Sequence, residues 1–67
     1  MERIALFPGS FDPFTLGHKA IVDQGLRFFD RIVVGVGDNN EKRGMMTDTN
    51  RARLIRDIYA DEPRVEV

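Results

Sequence analysis

The chain carries one histidine, His18, at the end of the stretch Pro8-Gly9-Ser10-Phe11-Asp12-Pro13-Phe14-Thr15-Leu16-Gly17-His18. A histidine in the first turn of a helix lies beside backbone N–H groups that lack intrahelical partners, where the helix dipole favours negative charge. The imidazole adds a directed donor that can follow charge onto an oxygen during a reaction. Ser10 contributes a hydroxyl and an amide, and Lys42 and Arg43 place cations in a second loop, Gly37 to Met46. Such a set suits an anion, and phosphate above all. Neither G-x-x-x-x-G-K-[ST] nor G-x-G-x-x-G occurs, so the site is neither a Walker loop nor a dinucleotide fingerprint. Asp12 and Asp38 stand isolated in the sequence, with no acidic cluster to hold a metal. Any Mg²⁺ is therefore expected to arrive with a nucleotide's phosphates.

Three apolar runs position these groups. Arg3 to Phe7 (RIALF) reads as a buried strand closed by Pro8-Gly9. Arg31 to Val36 (RIVVGV) is β-branched and stops at a turn-forming cluster, and Arg64 to Val67 (RVEV) opens a third strand. Between the first two, Val22, Gly25 and Phe29 recur at helical spacing, widened by Ile21, Leu26 and Phe28. The helix should open around Leu16 to His18, which puts His18 on the sheet-facing stripe, and Gly25 should allow close approach to the sheet. Leu54, Ile55 and Ile58 mark a second helix, with Thr47 as cap and Asp48 at the positive end of its dipole. The order is β-α-β-α-β, half of a doubly wound, Rossmann-like parallel sheet. Right-handed crossovers place both helices on one face and leave the other bare. Loops at the carboxyl ends of the first two strands then meet at one edge, where ligands bind in such sheets.

Length and composition bound the function. A chain of 67 residues makes one compact unit at most and leaves roughly 40% of its surface wet. It has no cysteine and one histidine, which excludes disulfide frameworks and Cys/His zinc sites. At 42% hydrophobic and 31% charged residues it is too apolar for a disordered tail. Ten Lys and Arg against eleven Asp and Glu give a net charge of −1, so no basic field points to nucleic acid. No apolar run approaches the roughly 20 residues that cross a bilayer, and residues 1–7 lack a signal-peptide pattern. A cytoplasmic location, away from membranes, is expected.

Thr15-Leu16-Gly17-His18 matches the (H/T)xGH signature of the nucleotidyltransferase α/β-phosphodiesterase superfamily. With Pro8-Gly9-Ser10-Phe11-Asp12-Pro13 before it and Lys42 after it, the chain resembles the bacterial phosphopantetheine adenylyltransferase family from residue 3 to about 60, including Phe29-Asp30, Lys42 to Thr47 and Arg51. The resemblance implies that residues 1–67 are the N-terminal half of a single nucleotidyltransferase domain. It implies adenylyl transfer from ATP to 4′-phosphopantetheine with Mg²⁺, giving dephospho-coenzyme A and pyrophosphate, in a homo-oligomer that is hexameric in that family. Position by position, it implies that His18 binds nucleotide phosphates and stabilises the transition state. Ser10 would contact both substrates, the Phe11 backbone would help bind ATP, and Lys42 would bind the acceptor's phosphate. Two departures stand out. Leu16 replaces an often polar residue, and the RGxR and ISSTxxR nucleotide-binding segments of that family do not occur in these 67 residues.

Plainer roles compete with each of these. His18 is equally placed to cap a helix, Ser10 to stabilise a turn, and Lys42 and Arg43 to form a solvated turn. Phe11 and Phe14 suit the core, Met45 and Met46 suit packing of the second loop, and Arg51 is either a partner for an acidic side chain or a loop anchor. Arg53, Arg56, Asp57, Asp61 and Glu62 read as a solvated face. Two other functions also fit: a transferase of the same superfamily with a different acceptor, and a non-catalytic nucleotide-binding or assembly module that uses the bare sheet face.

Overall fold

Four β-branched residues in six positions make Arg31–Val36 a strand that is stable when covered on both edges, and it is the middle strand of a parallel sheet. In the computed structural model, which describes residues 1–37 and 48–67, the order is β1 (Ile4–Gly9), α1 (Leu16–Gly25), β2 (Arg31–Val36), α2 (Asp48–Ile58) and β3 (Val65–Glu66). β1 pairs with β2 from Ile4↔Arg31 to Gly9↔Val36, and β2 pairs with β3 at Ile32↔Val65 and Val33↔Glu66. The α/β, Rossmann-like fold expected from the apolar runs is the one observed.

The pleat sorts the sheet into two faces. Ile32 and Val34 are buried and join Val22 of α1, Ile55 of α2, and Tyr59, Phe11 and Phe14 in one core cluster. Residues from both helices therefore pack on the same side of β2. Ile4 and Leu6, 54% and 67% exposed, lie on the opposite face, which the described elements leave bare. One end of the β1–β2 pair is locked by the Arg3 amide donating to Asp30 Oδ2 (2.6 Å) and the Asp30 amide donating to Arg3 O (2.8 Å). The other end is locked by the Gly37 amide donating to Gly9 O (2.8 Å).

Element ends and side-chain placements differ from the expectation in several places. β1 runs on through Pro8 to Gly9. The carbonyls of Arg3 and Gly9 both face β2, so odd positions carry the ladder and the missing N–H of Pro8 falls on the open edge, where it costs nothing. α1 stops at Gly25, whose carbonyl accepts from the amides of Phe28 and Phe29 in a turn, so Phe28 leaves the helical phase and is 61% exposed. Ile21 is also exposed, because β1 is an edge strand with no described element beyond it. The buried line of α2 is Arg51 and Ile55, continued by Tyr59 just past its end, with Leu54 half-buried and Ile58 exposed. The expected cap at Thr47 lies outside the described residues.

Gly25 does admit close approach: a Cβ there would stand 2.7 Å from Ile32 Cδ1. Tyr59 is 7% exposed and its hydroxyl finds no hydrogen-bond partner among the described residues. Burial, reinforced by the charge of Asp23, pushes its pKa up to about 12 from 10.0. The folded state thus holds the phenol proton more tightly than the unfolded chain does. This contribution to stability is complete below pH 10 and is lost as pH rises towards 12. Tyr59→Phe is expected to leave the melting temperature near neutral pH unchanged or slightly higher. It should also flatten the alkaline decline, as read by circular-dichroism melts between pH 8 and 12.

Candidate functional site

The site starts with a helix cap. Thr15, in extended conformation (φ −98°, ψ 171°), is the N-cap of α1, and its hydroxyl accepts from the His18 amide at 3.4 Å. His18 is the third helical residue and reaches back: its Nδ1 accepts from the Thr15 amide at 2.9 Å, closing a reciprocal capping box. This bond assigns the tautomer. A backbone amide can only donate, so Nδ1 carries the lone pair and the ring proton sits on Nε2. The Thr15 hydroxyl, 3.1 Å from Nδ1, can donate to the same lone pair. The imidazole is thereby a fixed Nε2–H donor beside the free amides of the first turn.

Three aromatic rings hold that imidazole in place. Its centroid lies 5.0 Å from Phe11 at 89°, 5.4 Å from Phe14 and 6.3 Å from Phe7. Phe11 also packs edge-on to Phe7 at 5.1 Å and against Phe14 at 5.3 Å. Phe11 takes a left-handed backbone conformation (φ 51°), which costs a bulky residue about 1–3 kcal/mol. Burying its ring is worth about 3–5 kcal/mol, judged by Phe→Ala changes, so packing wins. The ring lies over Gly9, where a Cβ would come within 2.8 Å of Phe11 Cζ. Only glycine lets the loop fold back on the strand this tightly.

Phe11 and His18 are therefore brought together, and Ser10 adjoins them, exposed at the carboxyl end of β1. Phe11 is both a core residue and part of the site loop. Lys42 lies outside the described residues, as do Arg43, Asp38, Met45 and Met46. Arg51 is a loop anchor: 2% exposed, it donates from Nη1 to the carbonyls of Ser10 and of Gly37 (3.2 Å to the latter). Its placement was readable in the four-residue spacing Arg51-Ile55-Tyr59, which sets a guanidinium on an apolar line. The orienting role of Thr15 was likewise available, because Thr15 and His18 stand at capping-box spacing. A groove of about 500 Å³ lined by Lys19, Asp23, Tyr59 and Arg64 includes none of Ser10, Phe11, His18 and Arg51. Among the described residues no group of three His, Cys, Asp or Glu could hold a metal ion.

A sequence model of the cytidylyltransferase-like family matches residues 6–67, which is nearly the whole chain. The chain belongs to the cytidylyltransferase-like family. It is 52% identical over 67 residues to the phosphopantetheine adenylyltransferase of Anaeromyxobacter sp. (strain K), covering all of this chain and 41% of that protein. It is 49% identical over 65 residues to the enzyme of that name from Flavobacterium johnsoniae and 45% identical over 65 to that from Bacteroides thetaiotaomicron. These two alignments cover 97% of this chain and 43% of each relative. The chain thus spans about two fifths of the length of the curated relatives it matches.

In this cytidylyltransferase-like chain the donor depends on its cap. Thr15→Ala is expected to cost about 1 kcal/mol of stability. It leaves the Thr15 amide in place, so His18 should keep its Nε2–H tautomer, seen in ¹⁵N spectra as well-separated Nδ1 and Nε2 resonances. Resonances that move towards each other would show that the hydroxyl, not the amide, orients the ring.

Proposed function

We propose that residues 1–67 form the N-terminal half of a single nucleotidyltransferase domain, and that the enzyme transfers the adenylyl group of ATP to 4′-phosphopantetheine, giving dephospho-coenzyme A and pyrophosphate. One observation carries the reading. The His18 imidazole, held by Thr15 as an Nε2–H donor at the first turn of α1, lies in a chain 45–52% identical to relatives named for that activity.

An oxygen of the acceptor's phosphate attacks the α-phosphorus of ATP, and the bond to pyrophosphate breaks. Negative charge builds on the phosphoryl oxygens as this happens. No covalent intermediate is needed, so placement and charge stabilisation supply the rate. His18 Nε2–H donates to a nucleotide phosphate oxygen and strengthens as that charge grows. Ser10 contacts both substrates and the Phe11 backbone helps bind ATP. Lys42 binds the acceptor's phosphate. Mg²⁺ is brought by the ATP phosphates, whose oxygens are the hard ligands it prefers. A cytoplasmic homo-oligomer, hexameric as in the family resembled, completes the proposal. The bare Ile4–Leu6 face of the sheet supports burial against further protein.

His18→Ala is expected to lower kcat by about 10²- to 10³-fold with a modest change in ATP binding, the mark of a donor that acts in the transition state. Pyrophosphate release and calorimetric titration on the full-length natural polypeptide measure the two quantities. An unchanged kcat would remove His18 from the mechanism. Faster turnover with nicotinamide mononucleotide or a sugar phosphate than with 4′-phosphopantetheine would reassign the acceptor. Residues 1–67 by themselves are expected to turn over little or not at all, because RGxR and ISSTxxR arginines are not among them. Near-complete turnover by the 67-residue chain would contradict this.

A further inference from the structure

Arg51 sits where a stabilising residue would not be chosen. It occupies the first turn of α2, whose dipole repels a cation, and it is 2% exposed on the line that continues through Ile55 and Tyr59. Its Nε is buried, with no hydrogen-bond partner among the described residues. An apolar side chain of similar volume would avoid these penalties, as replacements of buried ions often do. What the guanidinium does make is specific. Nη1 donates both to the carbonyl of Ser10, in the loop after β1, and to that of Gly37, at the exit of β2. Gly37 in turn donates from its amide to Gly9 O at 2.8 Å. Three elements thus converge on residues 9, 10 and 37.

We propose that Arg51 is a positioning residue for nucleotidyl transfer: by clamping the carbonyls of Ser10 and Gly37 it fixes the loop that carries Ser10 and Phe11 relative to the exit of β2 and the His18 donor. It touches no substrate in this role. The carbonyls it holds are turned towards it, so the orientation of the peptide units on either side is set as well. This inference rests on the reading of the site as a nucleotidyltransferase centre. A misplacement of about 1 Å at such a centre costs roughly 10²-fold in rate, so a loosened clamp should appear in kcat.

The test uses the full-length natural polypeptide and two variants. Arg51→Lys keeps the charge but loses the planar fork, and Arg51→Met keeps the volume but loses both. In each, amide hydrogen exchange at Gly37 should rise at least tenfold while exchange at Val22 and Val34 stays near that of the unsubstituted protein. In the same variants kcat for pyrophosphate release should fall by about 10²-fold, with KM for ATP changed by less than threefold. Should Arg51→Met prove too unstable, Arg51→Lys alone decides the matter. Unchanged Gly37 exchange, or faster Gly37 exchange with unchanged kcat, would overturn the positioning role. So would a fall in kcat that only tracks loss of melting temperature and of protection throughout the core. If the unsubstituted protein released no pyrophosphate with any acceptor while Arg51 still protected Gly37, the assigned activity would fall, and the positioning role with it.

Discussion

The hydrogen bond from the Gly37 amide to Gly9 O, 2.8 Å long, closes the parallel pairing of β1 and β2 at its carboxyl end. The rest of the site follows from that closure. Parallel strands in register end at the same height, so the loops that leave them emerge side by side. Each loop feeds a helix that returns over the same face, because crossovers in parallel sheets keep one hand. The first turns of α1 and α2 therefore sit near one edge, and one guanidinium in α2 can reach the carbonyls of both loops.

The two ends of the sheet are built differently. At the amino end, Asp30 and Arg3 exchange backbone and side-chain hydrogen bonds. At the carboxyl end, Phe11 stands in a left-handed conformation, and one buried nitrogen of Arg51 has no partner among the described residues. Such costs gather where surrounding packing can hold them and where chemistry needs a fixed geometry. Here the aromatic rings of Phe7, Phe11 and Phe14 do the holding, and the group they hold is an imidazole whose cap leaves one nitrogen free to donate.

Much of this was legible in the residues. The β-branched run of Arg31 to Val36 marked the central strand to the residue, and the spacing of His18 to Val22 turned the histidine towards the sheet. The bare face followed from counting two crossovers. The errors share a cause. Ile21, Phe28 and Ile58 are apolar at plausible helical phase, yet in a three-stranded sheet there is not enough surface to cover them all. Arg51, open in the sequence between a partner for an acidic side chain and a loop anchor, proves to be the anchor, in a buried position that its type disfavours.

Local pattern alone determined the order of elements, the helix start at Thr15-Leu16-Gly17-His18 and the capping box that joins Thr15 to His18. These depend on backbone sterics, capping and periodicity, which act between residues close in the chain. Only the tertiary structure decided that Phe11 folds over Gly9 and that Arg51 ties Ser10 to Gly37. The last joins residues 41 and 14 positions apart. Their encounter is set by strand pairing and helix packing together, and no window along the sequence contains it.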